Sequence, residues 1–212
     1  MKLLLAGGTG LIGKAVLALA QSTQTRVVAV GRRPTGMAAE DVVADFTDLP
    51  ALPAASAAIC TLGTTIQAAG SQDAFREVDF DAVIAFATAA KAAGVSHFLT
   101  VTAVGANSRS SVFYSRVKGE VERDLASMNF DRLDIMRPGL LLGDRKERRP
   151  LETLLKWAAP GTDVLMQGPW RRYHSIAAKT VAEALLVLTA HTASGHYVHQ
   201  YDDMMTLVAD TP

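Results

Sequence analysis

The chain is poor in the features that mark specialised surroundings. One cysteine, Cys60, stands among 212 residues. No internal disulfide can form, and a reducing compartment is expected. Neither sign of charge dominates, with 21 Lys plus Arg against 21 Asp plus Glu. A nucleic-acid partner calls for a basic excess or a basic face, so none is expected. No stretch approaches the ~18 consecutive apolar residues of a membrane span, so no membrane partner is expected either. Met1-Lys2 leads into Leu3-Leu4-Leu5-Ala6, an apolar run too short for a secretory leader and ended at once by glycines. A cytoplasmic location is the expectation. The five histidines are scattered. His196 and His199 lie three apart in an expected strand and so face opposite sides, and no metal site is expected. Internal repeats, low-complexity tracts and linkers are missing too.

What the chain has is alternation. Short apolar strands are expected over 2–6, 26–30, 41–45, 57–62, 97–102 and 133–136. Helical patterns fall between them, over 11–21, a long one over 71–93 that starts at Ser71 and stops at Gly94, and another over 110–128. Beyond Pro138 the pattern suggests helices near 151–158 and 178–190 and a strand near 197–201. Apolar strands alternating with helices imply a parallel sheet covered on both faces. The expected architecture is therefore α/β, a Rossmann-type doubly wound parallel sheet. Residues 1–212 read as one dinucleotide-binding domain, in which about 139–175 and 190–212 supply a small substrate-side cap. In such sheets the ligand lies beyond the carboxyl ends of the strands.

The first strand runs into Gly7-Gly-Thr9-Gly10-Leu11-Ile12-Gly13. Gly7 can take backbone angles closed to residues with a Cβ. Gly10 lets the chain approach a pyrophosphate, and Gly13 permits close packing of helix on strand. The phosphates would meet free amides at the positive end of a helix dipole. An NAD-selective site places Asp or Glu near the tip of the second strand. Here that tip reads Gly31-Arg32-Arg33, two guanidinium groups suited to the 2′-phosphate of NADP(H). Asp45-Phe46, at the end of the third strand, lies where adenine would sit. Asp45 could meet the adenine amino group or cap a turn.

Tyr114 and Lys118 open the second long helix, and i, i+4 spacing puts them on one face. A phenol has an unperturbed pKa of ~10, which a nearby ammonium lowers. Such a pair can exchange a proton with a carbonyl or alcohol oxygen while hydride moves at carbon. Thr102, ending the fifth strand, is the expected hydroxyl that orients the carbonyl. Of the remaining candidates, Cys60 reads as an inert core thiol and His174 as a polar loop residue or a substrate contact. The run 144–149 reads as a solvated basic loop. Trp157, Trp170 and Tyr173 either line a substrate pocket or pack the cap.

Together these residues resemble the short-chain dehydrogenase/reductase superfamily in its atypical branch of NAD(P)H-binding proteins. The likeness is greatest to the HIV Tat-interacting protein family of oxidoreductase-like proteins, many without a known substrate. It is carried by Gly31-Arg-Arg, Cys60-Thr-Leu-Gly-Thr-Thr65, Tyr114-x-x-Val-Lys-Gly-Glu-Val-Glu122 and Arg137-Pro-Gly-Leu-Leu-Leu-Gly-Asp-Arg145, and extends to about residue 188. The resemblance implies NADP(H) bound across the sheet, with Leu62, Gly63, Thr64, Pro138 and Gly139 beside the ribose and nicotinamide. It places Thr102, Tyr114 and Lys118 in the catalytic positions. The family tends to have two serines at the end of the fifth strand, where this chain has Thr102-Ala103. Three functions follow as expectations. The first is an NADPH-dependent oxidoreductase acting on a small carbonyl or alcohol. A catalytically weak NADP(H)-binding regulator is the second. A sugar-nucleotide epimerase is the third, disfavoured because the chain after Pro138 is short for a substrate lobe.

Overall fold

A computed structural model describes residues 1–143 and 167–210. The expected helix over 151–158, Trp157 and the basic run 144–149 lie outside these residues. Among the described residues a seven-stranded sheet dominates, made of β1 (Lys2–Ala6), β2 (Arg26–Gly31), β3 (Glu40–Val43), β4 (Ala57–Cys60), β5 (His97–Val101), β6 (Arg132–Met136) and β9 (Gly195–His199). Their order is β3-β2-β1-β4-β5-β6-β9, and every pairing is parallel. The chain leaves β1 for β2 and β3 on one side, then crosses to β4 on the other. The carboxyl ends of β1 and β4 therefore flank a topological switch point, where a doubly wound sheet opens a crevice. A two-residue pair, β7 (Leu141–Leu142) with β8 (Ile176–Ala177), lies apart from this sheet.

Strand periodicity divides the core. Leu3 and Leu5 face one layer with Leu17, Val181 and Leu185. Leu4 and Ala6 face the other with Phe86, Phe98 and Leu125. Burial of each such side chain is worth about 1.5–3 kcal/mol, so both faces need cover. The first layer is closed by α1 (Leu11–Ser22) and α6 (Ala178–Leu188). The second is closed by α4 (Ala82–Ala92) and α5 (Phe113–Ser127). Short α2 (Ile66–Ala69) and the terminal α7 (Tyr201–Ala209) complete the helices named here, apart from α3 below.

Three expectations shift. The long helix over 71–93 divides into α3 (Gln72–Arg76), a π-helical turn (Glu77–Asp81) and α4. The last strand begins earlier than expected, at Gly195, because its register sets His199 opposite Met136 of β6. The residues after it form α7 rather than strand, started by a capping box between Gln200 and Asp203.

Candidate cofactor and catalytic site

The glycine turn joins β1 to α1 at the switch point. Gly7 has φ +84°, and a Cβ there would lie 2.6 Å from the Thr61 carbonyl carbon, so no other residue fits. The Gly10 amide donates to the Gly7 carbonyl at 2.9 Å, which curls Thr9 and Gly10 back over the strand end. A Cβ on Gly13 would fall 2.2 Å from that same carbonyl oxygen. Gly13 is thus where α1 touches its own strand. Gly10 is the N-cap of α1 and offers no side-chain cap, and the first turn holds no acidic residue. The amides of Leu11 and Ile12 keep their affinity for an anion, since nothing on the helix neutralises them. Leu11 is half-buried and Ile12 buried, so both contribute main chain rather than side chain.

A cleft of about 650 Å³ opens beside this turn. Gly7 and Thr9 form its phosphate end. Arg32 and Arg33 stand at its rim, both exposed. Asp45, Phe46, Leu62 and the π-turn residues Glu77, Val78 and Asp81 wall the rest. Asp45 resolves the two roles open to it locally. Its carboxylate accepts from the Thr47 amide at 3.0 Å and the Thr47 hydroxyl at 2.9 Å, which caps a turn. The hydrogen bonds from Thr47 outweigh its slight desolvation and hold this carboxyl below its ordinary range, with Arg32 helping. These residues fit a dinucleotide: the cradle is one a Cβ would fill, the helix end is uncapped, and the cleft continues past two cations.

The catalytic candidates cluster beyond the ends of β4, β5 and β6. Tyr114 lies in the first turn of α5, half-buried, its ring centroid 5.6 Å from that of Phe75. Lys118, one turn on, is buried, and its Nζ pairs with Asp79 Oδ1 at 2.7 Å. Burial pulls the Lys118 ammonium down, but Asp79 and Tyr114 more than reverse this and hold it charged. Asp79 Oδ2 accepts from the Thr64 amide at 2.7 Å, so the 62–64 segment is tied to the same carboxylate. A Cβ on Gly63 would meet Asp79 Oδ1 at 3.4 Å and Lys118 Nζ at 3.7 Å.

Thr102 is buried, and its hydroxyl donates to Glu122 Oε1 at 2.6 Å. Glu122 also takes Arg137, through Nε at 2.9 Å and through Nη2 on its second oxygen. The hydroxyl of Thr102 is thus committed to a carboxylate on α5, and its neighbour Ala103 has none to offer. Pro138 accepts from the Val104 amide at 3.0 Å, and Gly139 lies against the Tyr173–His174 main chain, where a Cβ would come within 2.5 Å of the His174 carbonyl oxygen. His174 is buried, its ring edge-on to Tyr201 at 4.9 Å, while Trp170 is exposed, its ring tilted against that of Tyr173 at 5.9 Å. Burial pushes the Cys60 thiol up to about 12, as an inert core thiol requires.

Three participants escaped the sequence reading. Asp79 could have been found, because Phe75, Asp79 and Val83 share i, i+4 spacing on one helical face. Two of those positions are core, so the carboxylate between them needs a buried partner. The Glu122–Arg137 pairing lies inside quoted motifs but gives no spacing signal. Asp134 sits in a buried strand and accepts from Arg132, His97 and His199 at 2.6–2.9 Å. Among the described residues no group of His, Cys, Asp and Glu is arranged to hold a metal, and no helix is long and apolar enough to cross a membrane.

A family model described as NAD(P)H-binding matches residues 7–191. The rat protein HTATIP2 is 36% identical over 201 residues, 89% of this chain and 81% of that one. FMP52-1 of Scheffersomyces stipitis, named as mitochondrial, is 36% identical over 156 residues, 68% of this chain and 69% of its own. Among solved structures, MoeE5 in complex with UDP-glucose and NAD shares the fold at TM-score 0.72 and 15% identity, covering 99% of this chain and 81% of that one. Human epimerase family protein SDR39U1 with NADPH does so at TM-score 0.66 and 21% identity, covering 93% and 72%. The chain belongs to the NAD(P)H-binding family, as an atypical short-chain dehydrogenase/reductase similar to HTATIP2.

Proposed function

We propose that this family member is an NADPH-dependent oxidoreductase that reduces a small carbonyl compound or oxidises the matching alcohol. The observation that carries the reading is the buried Lys118 ammonium one helical turn from Tyr114 on α5, in a chain whose β1 ends in the glycine turn. Gly7, Thr9, Gly10 and the first amides of α1 would hold the pyrophosphate. Arg32 and Arg33 would meet a 2′-phosphate, Asp45, Phe46 and Leu62 would flank the adenosine, and Gly63, Thr64, Pro138 and Gly139 would border the nicotinamide half. When bound, the dinucleotide supplies or takes the hydride at the substrate carbon. Tyr114 gives its proton to the substrate oxygen in reduction, or takes it back in oxidation, and solvent restores the phenol. Lys118 stabilises the phenolate side of that exchange. Thr102 holds the end of β5 against α5 through Glu122. A cytoplasmic location is part of the same proposal.

A second reading has its own support. Thr102 spends its hydroxyl on Glu122, and position 103 is Ala, so the end of β5 offers no free hydroxyl to orient a carbonyl. That favours a catalytically weak NADP(H)-binding protein whose occupied state governs a partner. Oxidation of NADPH against a panel of small aldehydes and ketones separates the two. Wild-type turnover that falls by roughly 10²–10⁴ in Tyr114→Phe, with NADPH affinity kept, supports the enzyme. Turnover that survives the substitution removes Tyr114 from the proton transfer. NADPH binding with no turnover on any member of the panel supports the regulator.

A further inference from the structure

The two arginines at the rim of the cleft stand on a loop whose shape is set from β3. After β2 ends at Gly31 the chain runs Arg32-Arg33-Pro34-Thr35-Gly36 and returns to open β3 at Glu40. Asp41 of β3, which lies opposite Ala29 in the parallel register, reaches this loop. Its Oδ1 accepts from the Thr35 amide at 3.0 Å and from the Thr35 hydroxyl at 2.8 Å, and its Oδ2 accepts from the Gly36 amide at 3.3 Å. The same hydroxyl accepts from the Met37 amide at 3.3 Å and the Ala38 amide at 3.1 Å. One carboxylate and one hydroxyl thus satisfy four successive main-chain amides in a segment outside helix and strand.

The methyl of Thr35 meets the glycine turn. A Cβ on Gly8 would lie 2.8 Å from it, so the methyl rests against the Gly8 main chain. Thr35 also lines the cleft, together with Gly8, Arg32 and Arg33. Between Thr35 and the arginines stands Pro34, whose ring fixes its own φ and favours an extended Arg33. The Arg32-Arg33 segment is therefore held at both ends, by β2 before it and by the Asp41–Thr35 clamp after it. A segment held in place binds without first having to be ordered. We infer that Asp41 and Thr35 are positioning residues for cofactor choice: they hold Arg32 and Arg33 where the 2′-phosphate of NADPH would lie. This rests on the NADPH reading of the cleft and names what makes it selective. Thr35 spends its hydroxyl on Asp41, so it acts through the arginines. The clamp favours the dinucleotide that carries the phosphate. The methyl contact with Gly8 serves the pyrophosphate turn, which both dinucleotides share.

Calorimetric titration of NADPH and of NADH against wild type, Asp41→Ala, Thr35→Val and Thr35→Ser tests the inference. Valine keeps a methyl on Gly8 and loses the hydroxyl, whereas serine keeps the hydroxyl and loses the methyl. Having to fix the backbone of one more residue on binding costs about tenfold in affinity. Asp41→Ala and Thr35→Val should therefore weaken NADPH by about three- to tenfold and leave NADH within about twofold of wild type. Thr35→Ser should keep the wild-type preference, with any loss falling on both cofactors alike. A loop that only supports the fold would give equal losses for the two cofactors in Thr35→Val, or a lower Tm at unchanged preference, and either result overturns the inference. So does an Asp41→Ala protein that binds NADPH more tightly, because its carboxylate would then be a repulsive charge at the site. If Asp41→Ala does not fold, Thr35→Val against Thr35→Ser still decides. A wild type that binds the two cofactors equally defeats the NADPH reading and the inference with it. A wild-type preference that survives Thr35→Val defeats the inference alone, so the two failures are distinguishable.

Discussion

Thr102→Val asks whether the hydroxyl that ends β5 faces substrate or holds the scaffold. Valine keeps the branched shape and removes only the oxygen. Thr102 is 6% exposed, so water cannot replace the lost donor. Its acceptor is a carboxylate oxygen at 2.6 Å, and a hydrogen bond to a charged group contributes about 1.5–3 kcal/mol. Glu122 keeps both contacts from Arg137, which places the loss toward the lower end, at ~2 kcal/mol. For a chain of this size each kcal/mol shifts Tm by about 2–4 °C, so the variant should melt ~4–8 °C lower. Urea denaturation should show the same loss as a lower midpoint at unchanged slope. A double-mutant cycle with Glu122→Gln should return a coupling of about 1–2 kcal/mol, since the two groups touch. NADPH affinity should stay within about threefold of wild type, because Thr102 lies apart from the glycine turn. A variant of unchanged stability whose turnover drops ~100-fold would refute the argument and return the hydroxyl to the substrate.

Other perturbations separate binding from folding. Gly10→Val should fold, since a Cβ there meets only the Gly7 carbonyl oxygen, at 3.2 Å. It should also lose NADPH, shown by a thermal shift that no longer responds to nucleotide, and a wild-type response would place the phosphates elsewhere. Replacing Arg32 and Arg33 together with Ala should bring NADPH and NADH affinities close, from a wild-type preference of at least ~tenfold that weakens with salt. Equal wild-type affinities in calorimetric titration would show that the two cations merely face water. Asp134→Asn should destabilise by about 3–5 kcal/mol, because it leaves Arg132 buried without its partner. Burial opposes ionisation of Asp134, but hydrogen bonds from His199, His97 and Arg132 outweigh it and hold the carboxyl far below the ordinary range. Its stabilisation is therefore complete above the unfolded value of ~4 and fades as pH falls below that. The gap in urea midpoints between wild type and variant should be constant above about pH 5 and shrink below ~4, and a gap equally wide at pH 3 would contradict the assignment.

Where local physics is self-contained, the sequence is a good guide. A strand buried on both faces must be an unbroken apolar run, and Leu3-Leu4-Leu5-Ala6 is one. A turn that tolerates no Cβ must be glycine, and Gly7 and Gly13 are. What escaped detection depends on a partner far along the chain. Asp134 reads as one polar residue in an otherwise apolar strand until β9 brings His199 beside it, 65 residues on. Thr102 reads as a free hydroxyl until α5 presents Glu122. The helix over 71–93 reads as continuous because every residue in it is compatible with a helix. Its π turn is visible only through its consequence, a carboxylate on the core face opposite Lys118. Each of these misses is a buried polar or charged residue, and such a residue must find a partner. The interval between Phe75 and Val83 therefore holds the strongest unread signal in the chain. An aspartate there is too costly to bury unless another element supplies a cation, and a helix carrying a single lysine among its core positions, Lys118, is the element that can.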